Sequence, residues 1–266
     1  MSGRFAVSHN SAIEGGTYAS IFFKKGRNNM YILTEQNVEY YVNKKCKSKT
    51  TLKNINFYFF TKTMDCAKIL PKEMFDRFLK ESFIAGGSVW GVLNNNTFDD
   101  FDFFIETEEF ANQIKEYFNK KLPEILGIQL DNNELNGKLH FHDEKFKYIV
   151  TKNAVTIITP KDKFQIIYKW FGEPRYIFST FDFYHCMIGY IKGKIKTLPS
   201  VEDIFSDLLI YNSSTTKCVT GSLKRIAKYN ERGMKIDQYN MRKILSKLDQ
   251  HGITEEDKEV LSGIDY

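Results

Sequence analysis

The stretch that most limits what this chain can fold into runs from Pro71 to Ile105. Pro71 opens a helical pattern in which Met74, Phe75, Phe78 and Leu79 recur at helical spacing until Ser82. Phe83-Ile84-Ala85 then leads straight into Gly86-Gly87-Ser88. Val89, Trp90, Val92 and Leu93 suit a short helix that Asn94-Asn95-Asn96 stops. From Phe98 to Ile105 the residues alternate, with Phe101, Phe103 and Ile105 on one side and Asp100, Asp102 and Phe104 on the other. Two carboxylates thus share one strand face, while Asp99 faces away or ends the preceding turn.

Around this unit the pattern changes along the chain. Ser20 to Phe23, Met30 to Leu33, Val38 to Val42 and Ile55 to Phe60 read as short strands broken by Gly26, Asn28 and Asn29, which predicts a β-rich segment over 1–65. Phe110 to Leu126 reads as an amphipathic helix. Strands follow at Lys138 to His142, at Tyr148 to Thr159 with a turn at Lys152-Asn153, and at Phe164 to Trp170. These elements define a central domain over 66–175. Beyond the Gly172-Glu173-Pro174 turn, helical patterns at Thr180 to Tyr190, Ser200 to Leu209, Leu223 to Arg232, Gln238 to Gln250 and Glu255 to Leu261 predict a helical part over 176–266. Ser200 and Thr254 have the chemistry of N-caps, with Asp203 and Asp257 three residues on.

At 266 residues, with 42% apolar and 27% charged residues, the chain can bury a core without covalent staples. The 23 Phe and 15 Tyr are more than most globular chains carry, as an AT-rich genome would impose. Cys46, Cys66, Cys186 and Cys218 are too scattered for a zinc knuckle and fit reduced thiols in a cytoplasmic protein. No run approaches the roughly 18 apolar residues of a membrane span, and Met1 to Gly16 lacks an apolar signal core, so no membrane partner is expected. The net charge of +5 says little by itself, but Lys224, Arg225, Lys228, Arg232, Lys235, Arg242 and Lys243 gather within a short stretch. Such a cluster can draw in a phosphate-bearing substrate or serve as a solvated helix face.

The chemistry suggested by these pieces is phosphate chemistry. Attack on the α-phosphate of a nucleoside triphosphate needs divalent metal, because the phosphate repels its nucleophile and charge grows on the leaving pyrophosphate. Mg²⁺ prefers carboxylate oxygens and keeps several waters, and Asp100 and Asp102 are placed to share such an ion. A polyphosphate approaching the backbone needs residues without Cβ and a supply of N–H donors, which Gly86 and Gly87 offer at a helix start, with the Ser88 hydroxyl as a further donor.

Together, Phe83-Ile84-Ala85-Gly86-Gly87-Ser88-Val89-Trp90 and Asp99-Asp100-Phe101-Asp102-Phe103-Phe104-Ile105 resemble the signature of the DNA polymerase β nucleotidyltransferase superfamily. The resemblance implies an α+β fold, with a small mixed or antiparallel sheet and helices. It makes Gly86, Gly87 and Ser88 the triphosphate loop and Asp100 and Asp102 the catalytic metal ligands for Mg²⁺ or Mn²⁺. It implies a nucleotidyltransferase that moves an NMP from an NTP to an acceptor hydroxyl and releases pyrophosphate, the acceptor being a tRNA-like RNA, a small molecule or a protein. Ser222 to Ile236 is also similar to the basic helix that follows the catalytic domain in CCA-adding enzymes and bacterial poly(A) polymerases, although Met234 stands where those have an aromatic. That match adds Lys224, Arg225 and Lys228 as nucleotide-binding candidates.

The superfamily usually has a third carboxylate on a neighbouring strand, where this chain offers Gln165. A neutral amide binds Mg²⁺ weakly and cannot act as a base. Either Asp143, Glu144 or Asp162 completes the site, or the metal site is weaker, or the chain is a catalytically inactive nucleotide- or RNA-binding module of the same fold. Asp182 and His185, three apart, are further candidates to line the pocket or form a buried polar pair. Tyr229 can stack on a base or pack in the core. His140 and His142 share a strand face but lack companion ligands. An Asp-x-Asp also occurs in Mn²⁺-dependent glycosyltransferases, whose Rossmann-like opening unit the first sixty or so residues do not support. Oligomeric state is not legible.

Overall fold

A computed structural model describes residues 24–25, 30–129, 134–135, 138–215, 219–255 and 257–258. The fold is α+β. Among these residues the strands are β1 (Lys24–Lys25), β2 (Tyr31–Ile32), β3 (Ser82–Ala85), β4 (Phe101–Ile105), β5 (Glu134–Leu135), β6 (Lys138–His142), β7 (Lys147–Val150), β8 (Ala154–Ile158), β9 (Lys163–Phe171), β10 (Ile188–Ile191) and β11 (Lys194–Thr197). They form one mixed sheet in the order β1-β2-β11-β10-β3-β4-β9-β8-β7-β6-β5. The β4–β9 contact is parallel and the other pairings are antiparallel. The parallel pair is at the centre, with Phe101 opposite Phe164, Asp102 opposite Gln165 and Phe103 opposite Ile166.

The helices are α1 (Glu35–Asn37), continued by the π-wound Val38–Lys45, then α2 (Leu52–Ala67), α3 (Lys72–Glu81), α4 (Gly87–Leu93), α5 (Glu108–Glu116), α6 (Leu122–Ile125), α7 (Pro174–Ser179), α8 (Val201–Ile204), α9 (Val219–Glu231) and α10 (Gln238–His251). Helix α5 passes through a π turn, Tyr117–Lys121, into α6, and it buries Phe110, Ala111, Ile114 and Phe118 at helical spacing. Ser200 caps α8 as expected, its hydroxyl accepting from the Asp203 amide at 3.2 Å. Thr254 and Asp257 cap each other: the Asp257 amide donates to the Thr254 hydroxyl at 3.1 Å and the Thr254 amide to the Asp257 carboxylate at 3.0 Å.

Three expectations need correction. Ile55 to Phe60 lies inside α2 rather than in a strand, because Thr51 caps the helix by accepting from the Asn54 amide and Ile55, Phe59 and Cys66 form its buried stripe. Val38 to Val42 is helical for the same reason, with Val38 and Val42 buried four apart behind a Thr34–Asn37 capping box. Of the expected β-rich segment, Met30 to Leu33 contains a strand, and Ser20 to Phe23 lies outside the described residues. Thr180 to Tyr190 is not a helix either. It is a loop with a 3₁₀ turn at Tyr184–Cys186 that leads into the β10–β11 hairpin, so the expected helical part supplies two strands to the sheet. The hairpin joins β3 by the Tyr190–Ile84 and Gly189–Ala85 pairs, and Gly189 has no room for a Cβ, which would meet the Ile84 carbonyl oxygen at 2.6 Å.

Candidate functional site

Strand β4 alternates as its sequence requires. Phe103 packs against Phe78 of α3 and Phe164 of β9, at ring separations of 5.3 and 6.1 Å. Asp100, Asp102 and Phe104 turn to the opposite side and line a cavity of about 570 Å³. Gly86, Gly87 and Ser88 form part of the same wall. The two halves of the motif are therefore adjacent: a Cβ placed on Gly86 would sit 3.9 Å from Asp102 Oδ2.

Gly86 lies at φ +86°, ψ −144°, a conformation that only glycine adopts without strain. The turn is anchored by the Gly86 amide donating to the Ile188 carbonyl of β10 at 3.0 Å. Gly87 has no side chain between itself and Tyr229, whose hydroxyl would be 3.4 Å from an added Cβ. Ser88 is 1% exposed, and its buried hydroxyl has no hydrogen-bond partner among the described residues. A buried hydroxyl without a partner costs roughly 1–3 kcal/mol.

Helix α9 supplies Lys224, Arg225, Lys228, Tyr229 and the nearby Arg232 to the opposite wall, and β9 supplies Lys163, Gln165 and Trp170. The five cations face four carboxylates, with which most are paired. Lys228 Nζ lies 2.5 Å and Arg232 3.5 Å from Asp99, whose carboxyl is held below the usual carboxylate range chiefly by the hydrogen bond from Lys228. Lys163 lies 3.4 Å from Asp100, a consequence of the parallel β4–β9 register. Arg225 donates to Asp182 at 2.5 Å, where the Asp182 side chain is only 4% exposed. Burial opposes the Arg225 charge, but Asp182 more than offsets this and raises the guanidinium's pKa.

The expected site residues thus fall into two groups. Asp100, Asp102, Gly86, Gly87, Ser88, Gln165, Asp182, Lys224, Arg225 and Lys228 come together in one cavity. His185 does not line it. Its ring is buried behind the wall, against Trp90 at 5.1 Å and Tyr229 at 4.2 Å, and burial pushes its pKa down to about 3, so it is a neutral packing residue. The other candidate acids lie elsewhere. Asp143 accepts from the Lys145 and Phe146 amides and the Tyr148 hydroxyl in the β6–β7 turn. Asp162 is paired with Lys62 at 2.6 Å, and Glu144 does not line the cavity. Sequence reasoning missed Asp99, Lys163, Trp170 and Phe181 as wall residues. The pairing of β9 beside β4 brings in Lys163 and Trp170, the fold-back of α9 sets Lys228 against Asp99, and the loop after α7 brings in Phe181, none of which is written in local spacing.

Asp100, Asp102 and Gln165 line the same cavity, with Gln165 opposite Asp102 in the β4–β9 register and its amide nitrogen donating to the Thr156 hydroxyl at 3.3 Å. Among the described residues no three His, Cys, Asp or Glu side chains cluster in a way that could hold a metal ion. Nor is any described helix long and apolar enough to cross a membrane. Cys46, Cys66 and Cys186 are free thiols.

Residues 52–209, from the start of α2 to just beyond α8, match the family described as Gabija anti-defense 2 family protein. The chain belongs to the Gabija anti-defense 2 family. A curated relative, "Gabija anti-defense 2" of Bacillus phage SPbetaL7, is 27% identical over 157 residues, which is 57% of this chain. The chain matches about a third of that relative's length, 33%. Among solved structures, the chain is similar to the Thermotoga maritima CCA-adding enzyme complexed with tRNA, at 14% identity and a TM-score of 0.46, covering 75% of this chain and 45% of that one. It is also similar to a CCA-adding enzyme in complex with CTP, at 15% identity and a TM-score of 0.44, covering 75% and 45%.

Proposed function

We propose that this member of the Gabija anti-defense 2 family is a nucleotidyltransferase of the DNA polymerase β type, which binds an NTP in the cavity and transfers its NMP to an acceptor with release of pyrophosphate. The observation that carries the reading is the nearness of Asp102 to the Gly86 turn, where an added Cβ would lie 3.9 Å from its Oδ2, beside a buried hydroxyl without a partner on Ser88. A cavity of about 570 Å³ is in the range of small-molecule sites. Gly86 and Gly87 let the polyphosphate reach the backbone, and Ser88 donates to one of its oxygens. Asp100 and Asp102 would hold one Mg²⁺ or Mn²⁺, which supplies neutralisation of the polyphosphate charge. Lys224, Lys228 and Arg232 add positive charge along the α9 wall, where pyrophosphate negative charge develops. Phe181, whose ring would be 4.0 Å from a Cβ on Gly86, and Trp170 offer apolar faces for a base.

By this account the chain acts in the cytoplasm of an infected bacterium, against the defence its family is named for, by modifying a nucleic acid, a small metabolite or a protein. The test is transfer of label from α-labelled NTP in the presence of Mg²⁺ or Mn²⁺. The wild-type chain transfers label, and Asp102→Asn lowers the rate by about 10²–10³-fold, as loss of a preorganised electrostatic group does elsewhere. Saturable NTP binding with no transfer to any acceptor would instead favour a catalytically silent nucleotide-binding module, the reading that Gln165 opposite Asp102 encourages.

A further inference from the structure

We propose that the open face of β6, β7 and β8, which runs on from the cavity, is a docking surface for the sugar-phosphate backbone of a single-stranded nucleic acid. The surface is argued from its own residues; that the bound strand leads its end into the cavity rests on the nucleotidyl-transfer reading above.

Directly opposed residues of neighbouring strands share a sheet face. One row therefore runs outward from Asp102 through Gln165, Thr156 and Ile149 to His140, and a second runs from Lys163 through Ile158 and Lys147 to His142. Four strand spacings separate β4 from β6, which is about 19 Å. The reverse face of these strands is packed. Phe141, Tyr148, Val155, Ile157 and Phe164 are buried there, and Tyr148 meets the ring of Phe118 at 5.9 Å. On the open face His140, His142 and Lys147 are exposed. Lys138 shares that face, being two residues before His140 on β6.

A solvated face is ordinary for an antiparallel sheet, so its charge decides what it can hold. Strands β6, β7, β8 and β9 contain no Asp or Glu at any position. The lysines at the cavity are paired, Lys163 with Asp100 and Lys228 with Asp99, and they are not called on here. Among the described residues Lys138 and Lys147 form no ion pair. Asp143, which follows β6, is spent on the Lys145 and Phe146 amides and the Tyr148 hydroxyl, and Glu144 sits in the β6–β7 turn beside Lys145.

Lysines without counter-ions and imidazole N–H donors along a strip without carboxylates match a polyanion whose charge repeats along its length. A phosphodiester backbone needs only such groups, since it carries no N–H of its own. An acidic peptide would not be served: the main-chain groups of β6 to β9 are spent in the sheet ladder, so a peptide on this face finds no partners for its own backbone. A single strand fits because the strip ends in a cavity of about 570 Å³, which has room for a strand end and not for a duplex. Trp170 stands at that end, with Lys169 over its ring at 4.7 Å, where an aromatic face can stack on a base.

The test is fluorescence anisotropy with the 266-residue chain, no nucleotide, and end-labelled single-stranded RNA and DNA of about ten nucleotides. A poly-glutamate peptide of equal charge is the third probe. The oligonucleotides are expected to bind and the peptide not, and the two nucleic-acid arms separate RNA from DNA. Lys138→Gln with Lys147→Gln should weaken oligonucleotide binding about tenfold near 0.1 M salt and flatten the slope of log K against log salt by about 1.4, at about 0.7 for each phosphate contact. An unchanged Tm shows that the variant is folded. Equal affinity and equal salt slope in the variant, tighter binding of the peptide, or no binding of either oligonucleotide overturns the proposal. Calorimetric titration with Mg·NTP separates this from the reading above. If the lysines hold the oligonucleotide while Mg·NTP binds neither protein, the surface stands and the nucleotide site falls; if Mg·NTP binds both and the variant keeps its oligonucleotide affinity, the surface alone falls.

Discussion

The two faces of β4 do different work with residues one position apart. Phe101, Phe103 and Ile105 face inward and are nearly inaccessible, with Phe103 held between Phe78 and Phe164. Asp100 and Asp102 face a cavity, and the pairing of Asp100 with the partly exposed Lys163 adds little stability. One strand therefore separates the free energy of folding from the electrostatics of the site. The lesson is that a substitution of Phe103 and a substitution of either aspartate should each move one of these properties and spare the other.

The largest effect expected on the packed face is that of Phe103→Ala, which should cost about 3–5 kcal/mol in urea unfolding because a large ring leaves a close-packed site. Asp102→Asn should shift the same measurement by no more than about 1 kcal/mol. Equal losses from the two variants would break the comparison. A smaller effect sharpens it with a carboxylate that lies outside the cavity. Asp257 accepts from the amide and hydroxyl of Thr220 and from those of Thr254. Burial pushes its pKa up, but these hydrogen bonds together hold it down at about 2, against 3.8 for a free side chain. A depressed folded-state pKa gives stability that is present above about pH 4 and lost as pH falls towards 2. Unfolding measured across that window should show a loss of about 2 kcal/mol that Asp257→Asn removes. An unchanged pH profile in the variant would show that Asp257 carries no such linkage.

What could be read from the sequence follows the range of the forces involved. The β3–turn–α4–β4 unit was legible because its signals are local: two glycines at the strand end, a positive φ that one of them must take, and strict alternation after Phe98. The first sixty or so residues misled because aromatic-rich runs such as Asn56-Phe57-Tyr58-Phe59-Phe60 carry strong β propensity. Their exposure shows what decided the outcome. Phe57 is 68% and Phe60 48% exposed, and only Ile55 and Phe59, four apart, face the core, so the Thr51 cap and a helical stripe outweighed propensity. The Thr180 to Tyr190 stretch failed for a different reason. Its last residues, from Ile188, form a strand that pairs with the adjacent β11 and with β3, far away in sequence. Long-range register likewise placed Lys163 on Asp100, which no spacing rule could announce, whereas Gln165 beside Asp102 is the neighbour that the family resemblance led one to expect.

The central claim is that the Gly86 turn and the Asp100–Asp102 pair form one metal-assisted polyphosphate site. Calorimetric titration with a non-hydrolysable NTP tests it most directly, with and without Mg²⁺ and with Asp102→Asn alongside. The account expects saturable binding that needs Mg²⁺ and weakens at least about tenfold in the variant, roughly 1.4 kcal/mol. Binding that is the same without Mg²⁺ and in Asp102→Asn, or no binding of any NTP, would contradict it.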